Sequence, residues 1–256
     1  MQPFLLSVLV IIASMVLAMA GLHLVHKRYP HPVRQANNEV AGFFLSVLGV
    51  VYAVLLAFVV VVVWEEFDTA RVNVEKEANE IADIYRISLA LPDPTGTTIR
   101  TVANQYARAA TDQEWPAMAR GETSPEVLRL TDTMWQTATR FQATNDHERL
   151  LQEQILSHLG DFNDSRRLRE LAARTDLPQV MWVLLVGGAI VTVVFTYFFS
   201  TPNIVAQYIM TGMYTASITF VLLLVALLRH PFAGAVHVTP EAFETSLETM
   251  RRLSGG

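Results

Sequence analysis

"AGFFLSVLGVVYAVLLAFVVVVVWEEF", residues Ala41–Phe67, carries no charge until Glu65 and Glu66, with Asp68 immediately after. Crossing the hydrocarbon core of a bilayer takes about 20 apolar residues in a helix, and the run from Val40 to Trp64 is long enough. Lipid offers no partner for backbone N–H and C=O groups, so such a run has to be helical. Three more apolar runs follow the same rule, Pro3–Val25, Pro178–Ser200 and Tyr208–Leu228. Trp64, Trp182, Tyr197 and Tyr208 lie near the ends of these runs, where amphipathic rings prefer to sit. The expected fold class is therefore all-α, a polytopic membrane protein with four transmembrane helices and a helical soluble insert between spans two and three. The chain divides into spans one and two (1–64), the insert (65–177), spans three and four (178–229) and a C-terminal tail (230–256).

Ala18-Met19-Ala20 looks like a signal-peptide cleavage site, but Met1–Ser7 holds no Lys or Arg, so a retained first span is expected. With no cysteine in the chain, disulfides and thiolate metal sites are excluded. A net charge of −5 argues against a nucleic-acid partner.

Within the insert, Phe67, Ala70, Val74, Ile81, Ile84 and Leu89 recur at three- and four-residue steps. They continue span two as an amphipathic helix. Leu91-Pro92-Asp93-Pro94-Thr95-Gly96 stops it. A second helix is expected over about Thr98–Arg120. Ser124-Pro125-Glu126 reads as an N-cap followed by Pro at the first helical position. The third helix then carries Val127, Leu130, Met134, Ala138 and Phe141 on one side, with a continuation past Asn145-Asp146 to Leu159 open. Gly160-Asp161 is expected to break the chain before a short helix from Phe162 to Arg174. Arg71, Lys76, Arg166, Arg167, Arg169, Arg174 and Arg229 flank the spans on the insert side, against Lys27, Arg28 and Arg34 on the other. The majority places the insert and both termini in the cytoplasm.

Two stripes run along span two. Gly42, Ser46, Gly49, Ala53 and Ala57 form a small-residue stripe, read first as a helix-packing face and otherwise as a smooth pore-facing one. Beside it, Phe43, Val47, Val50, Val54 and Phe58 form a bulky stripe. Such residues face lipid or a neighbouring helix, or in a symmetric oligomer form an apolar constriction that gates by dewetting. Thr211, Thr215 and Thr219 on span four, and Thr192 and Thr196 on span three, are expected to bond backbone carbonyls a turn back. No Asp, Glu, Lys or Arg lies inside a span, which ranks proton-relay pumps and voltage sensors low.

Repeated around an oligomer axis, the acidic collar Glu65, Glu66 and Asp68, with Glu39 at the other end of span two, would form rings that concentrate cations at the mouths of a pore. The collar continues as Glu75, Glu77, Glu80 and Asp83, which reads as one solvated helix face. Arg166, Arg167 and Arg169 are read as membrane-proximal basic residues that meet acidic headgroups or pair with the collar. His23, His26 and His31 lack the further ligand a metal site needs. No cofactor and no metal are expected. P-loop, G-x-S-x-G and H-E-x-x-H patterns are absent, and no nucleophile–base pair is visible, so an enzyme is not expected.

"NNEVAGFFLSVLGVVYAVLLAFVVVVVWEEFDTARVNVEKEANEIADIYR", Asn37–Arg86, closely resembles the bacterial DUF4239 family, also called bestrophin-like. "LPQVMWVLLVGGAIVTVVFTYFF" and "HPFAGAVHVTPEAFE" resemble it too, so the likeness covers nearly the whole chain. Where that family often has an acidic residue before Pro-Phe-x-Gly, this chain has Arg229-His230. The resemblance implies a likeness to bestrophins, pentameric ion channels with four spans, a cytoplasmic helical domain between spans two and three, and a second span lining a narrow apolar neck. By that analogy the neck is the Phe43–Phe58 region. The implied partners are the lipid bilayer, other copies of the chain with a pentamer favoured, and inorganic ions; the charges of Glu39, Glu65 and Glu66 lean toward cations. The implied location is the bacterial inner membrane. The alternative is a membrane-anchored interaction or regulatory protein acting through its cytoplasmic insert.

Overall fold

The computed structural model describes residues 2–29, 38–199 and 201–255. His31 and Arg34 lie outside the described residues. Among those described, nine α-helices follow in chain order: α1 (Gln2–Arg28), α2 (Asn38–Ser88), α3 (Thr95–Ala109), α4 (Trp115–Met118), α5 (Pro125–Arg140), α6 (Asp146–Arg174), α7 (Gln179–Thr196), α8 (Ile204–Leu228) and α9 (Glu241–Leu253). A single π turn, Ala110–Glu114, joins α3 to α4. The helices α1, α2, α7 and α8 are each long and apolar enough to cross a membrane. The protein is an integral membrane protein of the expected all-α class.

The chain forms two compact units. The first holds residues 1–65 and 176–229. In it α1 packs along α8, and Ser14 Oγ meets Thr219 Oγ1 at 2.9 Å. Tyr52 of α2 donates its hydroxyl to Leu185 O at 2.8 Å, and its ring lies over Gly188, where a Cβ would come within 2.5 Å of it. Four of the span hydroxyls do as expected. Thr192 bonds Gly188 O, Thr215 bonds Thr211 O, Thr219 bonds Thr215 O, and Thr196 bonds Val193 O. Asn203 caps α8 by accepting from Val205 N and Ala206 N.

The second unit holds residues 66–175 and 230–256. The segment 230–256, expected as a separate tail, belongs to the insert's own core: Phe243 and Met250 of α9 are fully buried in it. They join Ala70, Val74, Ile81 and Ile84 of α2, Tyr106 of α3, Leu130 and Met134 of α5, and Ile155, Leu159 and Phe162 of α6. Trp115 ties the segment down by donating Nε1–H to Val238 O at 2.9 Å. Ser246 does the same to Ala78 O at 2.5 Å. Gly96 begins α3 where a Cβ would sit 2.6 Å from Leu91 O and 2.7 Å from Ser88 O, so only glycine fits that close approach of two backbones.

The sequence left one boundary open, and a second differs from its reading. The chain breaks at Phe141–Asn145, where Asn145 caps α6 by accepting from Glu148 N at 2.8 Å and Glu148 accepts from Thr144 N at 2.8 Å. Such reciprocal capping satisfies N–H groups that the first helical turn leaves unpaired. Conversely, α6 runs straight through Gly160-Asp161. A mid-helix glycine costs about 1 kcal/mol, and the burial of Leu159 and Phe162 on either side of it outweighs that.

Gly188→Leu should displace Tyr52 and lower the thermal midpoint of the detergent-solubilised protein. Gly187→Leu, at a position with nothing within 4 Å, should leave the midpoint near the parent value.

Candidate functional site

Two places carry the site expectations: the span-two part of α2, and the side chains inside the insert. On α2, Ala41, Tyr52, Leu56, Val59 and Val63 are buried by the chain itself. With 3.6 residues per turn, or about 100° per residue, these five share one face. By the same count the bulky stripe Phe43, Val47, Val50, Val54 and Phe58 lies about opposite, and the small stripe Gly42, Ser46, Gly49, Ala53 and Ala57 about a quarter-turn round. All five bulky residues are exposed, from 49% for Val47 and Val54 to 69% for Phe43 and Phe58. In the small stripe Ser46, Ala53 and Ala57 are exposed and Gly42 and Gly49 half-buried, and nothing lies within 4 Å of a Cβ built on Gly49. The small stripe therefore packs no helix of its own chain over its middle. On the fourth side of the helix Phe44, Val51 and Val62 are also exposed.

At the two ends of the span, Glu39, Glu65 and Glu66 are exposed. Asp68 is half-buried, and Arg71 Nη2 approaches its Oδ1 at 2.9 Å.

The insert corrects two sequence readings. Arg166 and Arg169 do not face headgroups; both are buried, and of the three arginines only Arg167 is exposed. The other expectation, pairing with the acidic run, holds for Arg169, which meets Glu77. Glu77 is likewise fully buried and not on the solvated face. The reason is helical register. Ala70, Val74, Glu77, Ile81 and Ile84 follow at steps of four, three, four and three, as do Ile155, Leu159, Phe162, Arg166 and Arg169. The charged residues occupy core positions of apolar faces, and that spacing was the signal that located them.

Arg169 donates from Nε to Glu77 Oε2 at 2.6 Å and from Nη2 to Glu77 Oε1 at 2.9 Å. This two-pronged geometry is the strong form of the guanidinium–carboxylate pair. Its Nη1 points to Met118 Sδ at 2.8 Å, and its guanidinium carbon lies 5.5 Å from the Trp115 ring centroid. Tyr106, packed edge-on against Phe162 with ring centroids 4.8 Å apart, donates its hydroxyl to Glu77 Oε1. Burial, then the neighbouring Glu77, pushes the Tyr106 hydroxyl well above its ordinary value. Burial alone would lower Arg169, but Glu77 outweighs it and holds the guanidinium above its ordinary value.

The π turn delivers a second buried carboxyl. Glu114 Oε1 lies 3.6 Å from Arg169 Nη2 and 3.7 Å from Arg166 Nη2. Burial pushes Glu114 up to about 7, with Arg169 and Arg166 opposing the rise. Arg166 Nη2 is 2.5 Å from Glu170 Oε1.

A family model described as the Bestrophin-like domain matches residues 12–243. Among solved structures, the chain is similar to a bacterial bestrophin homologue from Klebsiella pneumoniae carrying a point mutation. The TM-score is 0.75 at 13% identity, covering 96% of this chain and 99% of that one. A structure of a bestrophin homologue from the same organism phased with zinc matches at TM-score 0.73 and 14% identity, over 96% of this chain and 98% of that one. A variant described only as a membrane protein matches at 0.73 and 13%, over 96% and 99%. At such identities the likeness shows the fold. No curated protein matches the chain.

Arg169→Met leaves Glu77 buried with Tyr106 as its one remaining polar partner, and should destabilise the insert by about 3–5 kcal/mol. The double replacement Glu77→Leu with Arg169→Met removes both charges and should recover most of that loss. Denaturation of the purified full chain, followed by Trp fluorescence, reads both.

Proposed function

The chain belongs to the bestrophin-like family, and on that premise we propose that it is an oligomeric ion channel whose pore is lined by α2. The observation that carries the proposal is the division of that helix into sides. A helix in a ring has four: one toward its own subunit, one toward the axis and one toward each neighbour. In α2 the buried Tyr52 face meets the first need, and the bulky stripe opposite it meets the second. The small stripe and the Phe44–Val51–Val62 side then meet the third and fourth, with bulky residues of one copy seated on small residues of the next. Such a contact is heterologous, and heterologous contacts close into rings where the rotation between copies divides the circle. Small residues also let helix backbones approach closely in lipid. The resemblance to bestrophins favours a pentamer.

In this arrangement Phe43, Val47, Val50, Val54 and Phe58 form stacked apolar rings that exclude water without any fixed charge. Selectivity is set at the mouths, where Glu39 and Glu65 favour cations. The insert and both termini are cytoplasmic and the membrane is the bacterial inner membrane, as the Arg and Lys distribution supports.

Flux from liposomes holding the purified protein should be low at rest, and Val50→Ser or Phe43→Ala should raise it. If both variants leave flux at the level of empty liposomes, the regulatory reading of the insert replaces the channel. Flux that prefers chloride retains the channel and removes the role of the acidic mouths.

Native mass measurement should give a homo-oligomer, and Gly49→Leu should weaken it by pushing neighbouring copies apart. For topology, the absence of native cysteine allows single additions. Gln113→Cys should be protected from an impermeant thiol reagent in intact cells, and His31→Cys should react. The reverse pattern overturns the orientation.

A further inference from the structure

We propose that Glu114 is a proton-binding site inside the insert, occupied while Arg166 and Arg169 serve Glu170 and Glu77, and that losing the proton draws Arg166 from Glu170 to Glu114. The first ground is charge balance. Glu77, Glu114 and Glu170 bring three carboxyl groups, and Arg166 and Arg169 bring two guanidiniums. With all five ionised the cluster holds an uncompensated negative charge in a buried place, which is costly. One proton removes it.

The second ground is which carboxyl is left over. Both oxygens of Glu114 are buried without a hydrogen-bond partner. Arg169 is committed to Glu77 and Met118. Arg166 is not: its Nε is buried without a partner, and its Nη2 approaches Glu170 Oε1 at 2.5 Å without hydrogen-bond geometry. An idle donor and an idle acceptor thus lie within one side-chain rotation of each other.

The groups that face Glu114 are few. They are Glu77 from α2, Tyr106 from α3, and Arg166, Arg169 and Glu170 from α6. Trp115 and Met118 of α4 and Phe243 and Met250 of α9, which carry no charge, belong to the same buried core. Glu170 stands at the edge, half-buried, and lines an open groove of about 520 Å³ with Asp164, Arg167 and Arg174. Protons reach the cluster on that side, and Glu170 gains water there when Arg166 leaves it.

The sign follows from burial. Glu114 holds its proton up to about 7, against an ordinary value of 4.5. Its contribution to stability is therefore full below the ordinary value and is lost as pH rises through about 7. The site rests on the insert alone, so a chain that conducts nothing would still show it.

The test is infrared difference spectroscopy on the full chain in nanodiscs, between about pH 5.5 and about pH 8.5, either side of the expected midpoint. The expected result is a carbonyl band of a buried protonated carboxyl that disappears with a midpoint near 7, and that Glu114→Gln lacks. If that variant does not fold, Glu114→Asp keeps the carboxyl and should move the band. Glu170→Gln releases Arg166 to Glu114 and should lower the midpoint by at least about one pH unit, which a merely structural role would not do. No band titrating in this range, or a band unchanged by replacing Glu114, overturns the proposal. So does a midpoint that Glu170→Gln leaves in place.

Discussion

Helix α2 has to satisfy two solvents with one ladder of backbone hydrogen bonds. It runs 51 residues without a break, and no proline interrupts it. Over the part that spans lipid it must be helical because nothing else can pair its backbone. Beyond Glu65 it remains helical for a different reason, because Ala70, Val74, Ala78, Ile81 and Ile84 give it an apolar face to bury. The two halves share a period and differ in what lies around it. Side chains along the first are free to divide the helix by size, and side chains along the second divide it by polarity.

The buried ionic cluster is the most demanding part of the insert. A guanidinium and carboxyls removed from water lose hydration worth several kcal/mol per ion. What offsets it is geometry: Glu77 receives two N–H bonds from Arg169 and one O–H bond from Tyr106. These contacts join α2, α3 and α6, elements far apart in sequence. The π turn has a place in this arrangement. Its wider turn alters the register between Ala109 and Trp115, and so lets both Glu114 and Trp115 reach the core.

Much of this was legible in the residues. The four spans follow from run length alone, and the family from the Asn37–Arg86 stretch. The helix start at Pro125 follows from Ser124-Pro125-Glu126, and Ser124 takes the extended N-cap conformation without a side-chain capping bond. What escaped had physical causes. Gly160 looked like a stop because propensity is local, whereas the burial of Leu159 and Phe162 is tertiary. Asn145 and Glu148 carried a capping signal that the apolar pattern running past them obscured. Arg166 and Arg169 looked peripheral because they lie near a span in sequence, and charge alone suggested headgroups; their step from Leu159 and Phe162 pointed inward. The uncovered stripes of α2 could be read as stripes, but which of them its own chain covers depends on Tyr52 finding Leu185 and Gly188.

The insert's core is assembled from two stretches that are not made together. Residues 66–175 leave the ribosome first, then both later spans, and only afterwards Phe232, Val238, Phe243 and Met250. Until those side chains arrive, Tyr106 and Trp115 lack the ring of Phe243 that they pack against, and Trp115 Nε1 has no carbonyl at Val238. Folding of the soluble unit is thereby tied to completed synthesis of the membrane unit. A chain cut short between α8 and α9 would have its four spans made and an apolar insert surface bare to water, the kind of species that quality-control proteases recognise by exposed core.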